Sequence, residues 1–144
     1  MSEVITGTRK TLEANGTAIT NNSIQVANDA NYSISADGGS FPHAKFIASF
    51  AFSVAPVEGT VLAIYARPLD LVSTNDAQAT EFTRQSVHIG YLTVDNVTTT
   101  QYAEFVAYDV PWNAEYALGN IGTGQSVSAG WTLEVIPFKI SETA

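Results

Sequence analysis

His43 and His88 are the only two histidines in this 144-residue chain, and cysteine is absent, so they are the side chains best suited to proton transfer near neutral pH. A catalytic triad or a zinc site needs a serine, a second histidine or an acid at a motif spacing. Neither histidine has one. His88 falls inside a β-rich run and His43 follows Pro42 at the entrance of another, where an imidazole is an ordinary strand residue. The stretch Gly119-Asn-Ile-Gly-Thr-Gly-Gln-Ser126 has the glycine spacing of a phosphate-binding loop, but Gln125 occupies the place of the phosphate-pairing lysine. Ser126 then leads into a strand rather than a helix whose amides could cradle phosphate, so the stretch reads as a glycine-rich hairpin connection.

Asp70, Asn75 and Asp76, and later Asp95 with Asn96, could offer hard oxygen ligands to calcium. Their spacing is not that of a calcium loop closed by a glutamate, and short Asx side chains bond their own backbone in turns, so we expect turns and no metal. None of the 14 acids is set apart as one of a glycosidase pair. Tyr32, Phe41, Tyr65, Tyr91, Tyr102, Tyr108, Trp112, Tyr116 and Trp131 could stack on sugar rings, yet most of them alternate within strands and are expected in the core or at a subunit interface. Trp131, followed by Leu133 and Val135 at period two, belongs to the core; Trp112 after Pro111 lies in a loop and could face outward. No cofactor is expected. Asn-x-Ser/Thr triplets at Asn15, Asn21, Asn31 and Asn96 have no expected consequence without a secretion signal.

The elements that must position these residues follow from composition and period. Apolar residues make up 45% of the chain and charged residues only 14%, which excludes a disordered chain and leaves a surface dressed in Ser, Thr, Asn and Ala. With 14 acids against 6 bases the formal charge is −8, which repels phosphate backbones and argues against nucleic acid. The N-terminus has no basic stretch followed by an apolar one, and the most apolar run, 46–57, is roughly a dozen residues against the roughly 20 of a membrane helix. Synthesis in the cytosol and no membrane partner are the expectation.

Phe46, Ala48, Phe50, Phe52 and Val54 alternate with smaller or polar residues, the period of a half-buried strand. Pro56-Val-Glu-Gly59 offers turn chemistry before a second β-rich run at 60–69, which predicts a hairpin. Further runs at 87–94, 99–110 and 130–140 and weaker ones at 9–13, 23–28, 32–36 and 115–120 bring the count to roughly eight strands. No segment shows a helical stripe, and 76–84, the one local candidate, reads as loop. The expectation is a single all-β domain, an antiparallel jelly-roll-like β-sandwich over residues 23–144. Residues 1–22, rich in Thr, Asn and Gly, read as an extended arm that orders against the domain's own edge or a neighbouring subunit.

Three passages carry a resemblance: Leu62-Ala-Ile-Tyr-Ala-Arg-Pro-Leu-Asp-Leu-Val-Ser-Thr-Asn-Asp76, Val94-Asp-Asn-Val-Thr-Thr-Thr-Gln-Tyr102 and Ser128-Ala-Gly-Trp-Thr-Leu-Glu-Val-Ile-Pro137. Over 41–138 the chain resembles a family of small tailed-bacteriophage jelly-roll virion proteins, several of which coat or cement the outside of the capsid. The resemblance implies a non-enzymatic capsid decoration protein, made in the host cytoplasm and located on the virion exterior. Its implied partners are the major capsid protein and further copies of itself, as a dimer or trimer. Arg9 and Lys10, which could meet an acidic capsid surface, are with Leu12 and Trp112 the candidate contact residues. A carbohydrate- or receptor-binding module using Trp112, and a tail or neck component, are the alternatives.

Overall fold

The computed structural model describes residues 2–37, 39–68 and 87–142, and every regular element among them is a β-strand. The ten are β1 (Ser2–Thr6), β2 (Lys10–Glu13), β3 (Ser23–Val26), β4 (Tyr32–Ser33), β5 (His43–Phe50), β6 (Val61–Pro68), β7 (Val87–Thr93), β8 (Gln101–Ala107), β9 (Asn113–Ile121) and β10 (Thr132–Glu142). Alternation places them. In β5, Ala44, Phe46, Ala48 and Phe50 are buried and each intervening residue is half-buried, so one face of the strand feeds the core.

Two antiparallel sheets result, with orders β1-β10-β5-β8, where β2 also pairs with β10, and β3-β9-β6-β7, where β4 also pairs with β9. The pairing nests: β2 with β10, β3 with β9, β5 with β8, and β6 with β7. The chain is therefore one long ribbon rolled across both sheets, the jelly roll expected, with β1 and β4 as additions. Phe46, Phe50, Phe52, Leu62, Ile64, Leu92, Tyr116 and Leu118 fill the space between the sheets.

Two turn expectations need correction. Pro56–Gly59 does not close a hairpin, because β5 lies in the first sheet and β6 in the second. The glycine-rich stretch also crosses between sheets, from β9 to β10, rather than joining paired neighbours. Proline and glycine dictate that the chain turns, not which strand it then meets, and both edges of β5 are taken by β10 and β8. The two crossings meet at one end of the sandwich, where the Val57 N–H donates to the Thr123 carbonyl at 3.0 Å. Asp70, Asn75, Asp76 and the expected loop 76–84 lie outside the described residues.

Residues 2–22 run along the domain's own edge. β1 pairs with Phe138 to Glu142 and β2 with Leu133 to Val135, and Leu12 and Ile19 are fully buried. Gly16 lies against the Trp131 indole so closely that a Cβ there would stand 2.0 Å from Cε2. The indole N–H donates to the Thr17 carbonyl at 2.7 Å, and buried Asn120 donates through Nδ2 to the Ile19 carbonyl at 3.0 Å. These contacts make the segment part of the core.

Candidate functional site

Register decides which side chains reach the outside of the first sheet. Ile136, Lys45 and Val106 are aligned across β10, β5 and β8; Phe138 aligns with His43 and Thr6, and Ile140 with Val4. Along β10 the apolar phase flips. Leu133 and Val135 are buried in the core, whereas Ile136, Phe138 and Ile140 lie on the opposite face, Ile140 exposed and Phe138 buried against the His43 and Tyr108 rings. Together with Val4, Val106 and Tyr108 they line a shallow groove of about 410 Å³. Val4 is 63% exposed and Tyr108 62%, an unusual display for large apolar side chains grouped on one face.

One end of the groove is an aromatic cluster. The His43 ring lies 5.1 Å from Tyr108 and 5.2 Å from Phe138, centroid to centroid. His43 Nδ1 accepts the Asp109 N–H at 3.1 Å, which assigns the ring proton of the neutral imidazole to Nε2. Asp109 itself has φ 56°, the left-handed conformation of a tight corner, and its carboxylate stands 4.0 Å from Nδ1. His43 thus fastens the corner after β8 to the start of β5, as a strand-entrance histidine would. On the second sheet, His88 lies 4.2 Å from Tyr91 and 5.6 Å from Tyr65 on the outer face. Tyr65 rests on Gly119, where a Cβ would come within 2.8 Å of the ring.

The four contact candidates are dispersed. Arg9 pairs with Glu134 at 3.0 Å and Lys10 with Asp37 at 2.7 Å, so both bases are committed within the chain. Leu12, expected at an interface, is instead in the domain's own core, because β2 closes the sheet beside β10. Trp112 is 51% exposed and does face outward. Burial would raise the Asp37 carboxyl, but hydrogen bonds from Lys10 and from the Ser33 N–H outweigh it and hold the group below its ordinary value. Burial and, secondarily, Asp37 push the Tyr32 phenol up to about 12; burial and then Tyr32 raise Tyr116 as well. Among the described residues, neither buried hydroxyl has a hydrogen-bond partner.

A polar depression of about 720 Å³ lies beside the start of β8, bordered by Asp95, Thr99, Gln101 and Glu104. Gln101 braces it by bonding both backbone groups of Asp95, at 2.8 and 2.9 Å. No group of three or more metal-ligating side chains occurs among the described residues. The groove residues on β1 and β10 were not singled out from sequence. Their signal was present as the run Ile136, Phe138, Ile140, apolar in the phase opposite to Leu133 and Val135. Compared with known proteins, the chain matches no family model and no curated protein.

Proposed function

We propose that the chain is a structural virion protein that decorates and stabilises the outside of a tailed-phage capsid, made in the host cytoplasm and acting as a dimer or trimer. The observation that carries this reading is the apolar groove on the outer face of the first sheet, between β1 and β8. The jelly-roll pairing and the phage-like wording of 62–76, 94–102 and 128–137 support it. Val4, Val106, Tyr108 and Ile140 are 63, 41, 62 and 47% exposed. Fully burying such a side chain yields about 1.5–3 kcal/mol, so each retains roughly 1 kcal/mol for a partner. Against the cost of association that sum is small, which favours several linked copies acting together. Every bound copy then adds its binding free energy to the assembled shell.

The experiment is to mix the purified chain with undecorated heads and sediment them. The expected result is stoichiometric co-sedimentation that raises the heat resistance of the heads and is lost in Ile140→Glu, a variant whose own melting temperature stays unchanged. Wild-type chain left in the supernatant overturns the reading. The exposed ring of Trp112 favours a sugar-binding alternative, which retention on a polysaccharide column, lost in Trp112→Ala, would establish instead.

A further inference from the structure

Asn15 is the one asparagine of this chain that a glycine follows. In that pair the side-chain amide is most open to attack by the next backbone nitrogen, because glycine has no Cβ to crowd the approach. The fold treats the two partners of the reaction oppositely: Asn15 is exposed and Gly16 is buried. The Gly16 N–H donates to the Trp131 carbonyl at 2.9 Å, and the Gly16 carbonyl accepts the Gly130 N–H at 2.8 Å. The Trp131 indole lies against the Gly16 α-carbon, where a Cβ would stand 2.0 Å from Cε2, and is itself pinned by its 2.7 Å bond to the Thr17 carbonyl. The Gly16 nitrogen therefore cannot lose its proton without giving up a buried hydrogen bond, and it has no room to swing toward the Asn15 side chain.

We propose that Asn15 is a fold-gated modification site, at which cyclisation with loss of ammonia turns the opening of the N-terminal segment into a one-way step. Once the segment lifts from Trp131, hydroxide takes the Gly16 amide proton and the nitrogen attacks the side-chain carbonyl carbon of Asn15. The new C–N bond closes a succinimide, and the side-chain nitrogen leaves as ammonia. Water then adds at either ring carbonyl and opens the ring to aspartate or isoaspartate. Nothing is oxidised or reduced, and water is the only co-reactant.

Both products oppose re-docking, isoaspartate the more strongly. Position 15 is fixed on either side, by the Ala14 N–H bonded to Asp29 Oδ2 at 2.7 Å and by the two backbone bonds of Gly16. Isoaspartate lengthens the backbone by one atom between those points, so Gly16 falls out of step with the Trp131 carbonyl. Aspartate keeps the length but adds a carboxylate near that of Asp29, in a chain that already carries −8. Leu12 and Ile19, before and after the site, are fully buried, so a segment that fails to return leaves the core incomplete. The frequency with which this one segment opens thus sets the working life of the folded chain, whatever the chain decorates.

The test incubates the full chain in mildly alkaline buffer, either folded or held unfolded in guanidinium chloride, and follows deamidation at each asparagine by peptide mapping and mass spectrometry. Asn15 should convert first in the unfolded chain and at least about 100-fold more slowly in the folded one, because only the open fraction reacts. Chain carrying isoaspartate at position 15, separated and returned to native buffer, should melt about 10 °C or more below wild type or without a cooperative transition. Asn15→Ser, which lacks the side-chain amide, should regain its starting Tm after the same incubation. Equal rates at Asn15 in the folded and unfolded chains overturn the inference, as does conversion in guanidinium no faster than at the other asparagines. So does an isoaspartate chain that regains the wild-type Tm, or an Asn15→Ser chain that loses its own Tm to the same extent.

Discussion

Replacing Gly16 by alanine tests whether the N-terminal segment belongs to the core. The new Cβ would stand 2.0 Å from Cε2 and 2.3 Å from Nε1 of Trp131, and the indole cannot turn aside without giving up its 2.7 Å hydrogen bond to the Thr17 carbonyl. Gly16 is also held on both sides by backbone bonds, from its N–H to the Trp131 carbonyl at 2.9 Å and from the Gly130 N–H to its carbonyl at 2.8 Å. Its φ lies outside the left-handed region, so the substitution adds no backbone strain of its own. Overpacking costs about 1–3 kcal/mol and loss of the indole hydrogen bond about 1 kcal/mol more, for a destabilisation of roughly 3 kcal/mol. In a domain of this size that lowers Tm by about 10 °C. Calorimetry reads the shift, and near-ultraviolet circular dichroism reads the loss of the fixed indole environment. A Tm within about 2 °C of wild type, with the Trp131 signal intact, would refute the contact and with it the claim that residues 2–22 are built into the fold.

Deletion of residues 1–22 should leave a chain without a cooperative melting transition, because it removes fully buried Leu12 and Ile19; a sharp transition in calorimetry would contradict this. Asp37 has a lowered folded-state pKa, so its contribution is full above the unfolded value of about 3.9 and is lost as pH falls through the folded one. Urea titrations should show Asp37→Asn less stable than wild type at pH 7, with the gap closing at acid pH. Tyr32 and Tyr116 have raised values, so their contribution is full below about pH 10 and fades above it. Absorbance at alkaline pH should show these two phenols ionising later than the exposed tyrosines, or only with unfolding. Tyr116→Phe removes a buried hydroxyl that has no partner among the described residues and should be neutral or stabilising by about 1 kcal/mol in urea melts.

Composition and period two were enough to determine the all-β class and much of the core. Phe46, Phe50, Leu133 and Val135 alternate with polar or smaller neighbours, and a strand with one buried face has no other way to arrange them. The same rule also held, unread, the outward groove, in the phase flip of β10 at Ile136. What the residues alone left open was pairing. Ser49 and Thr132 share a hydrogen bond at 2.5 Å across 83 positions, and nothing local to either names the other. Turn residues at 56–59 and 119–126 marked reversals correctly while leaving the destination open, so both read as hairpins where the fold makes crossings. Leu12 and Ile19 likewise gave no sign of which surface would cover them until Gly16 and Trp131 met. A strand's inward face follows from its own side chains, which the chain carries locally. Its neighbour depends on which edge remains unoccupied once every other strand has paired, and that is a property of the whole assembled sandwich.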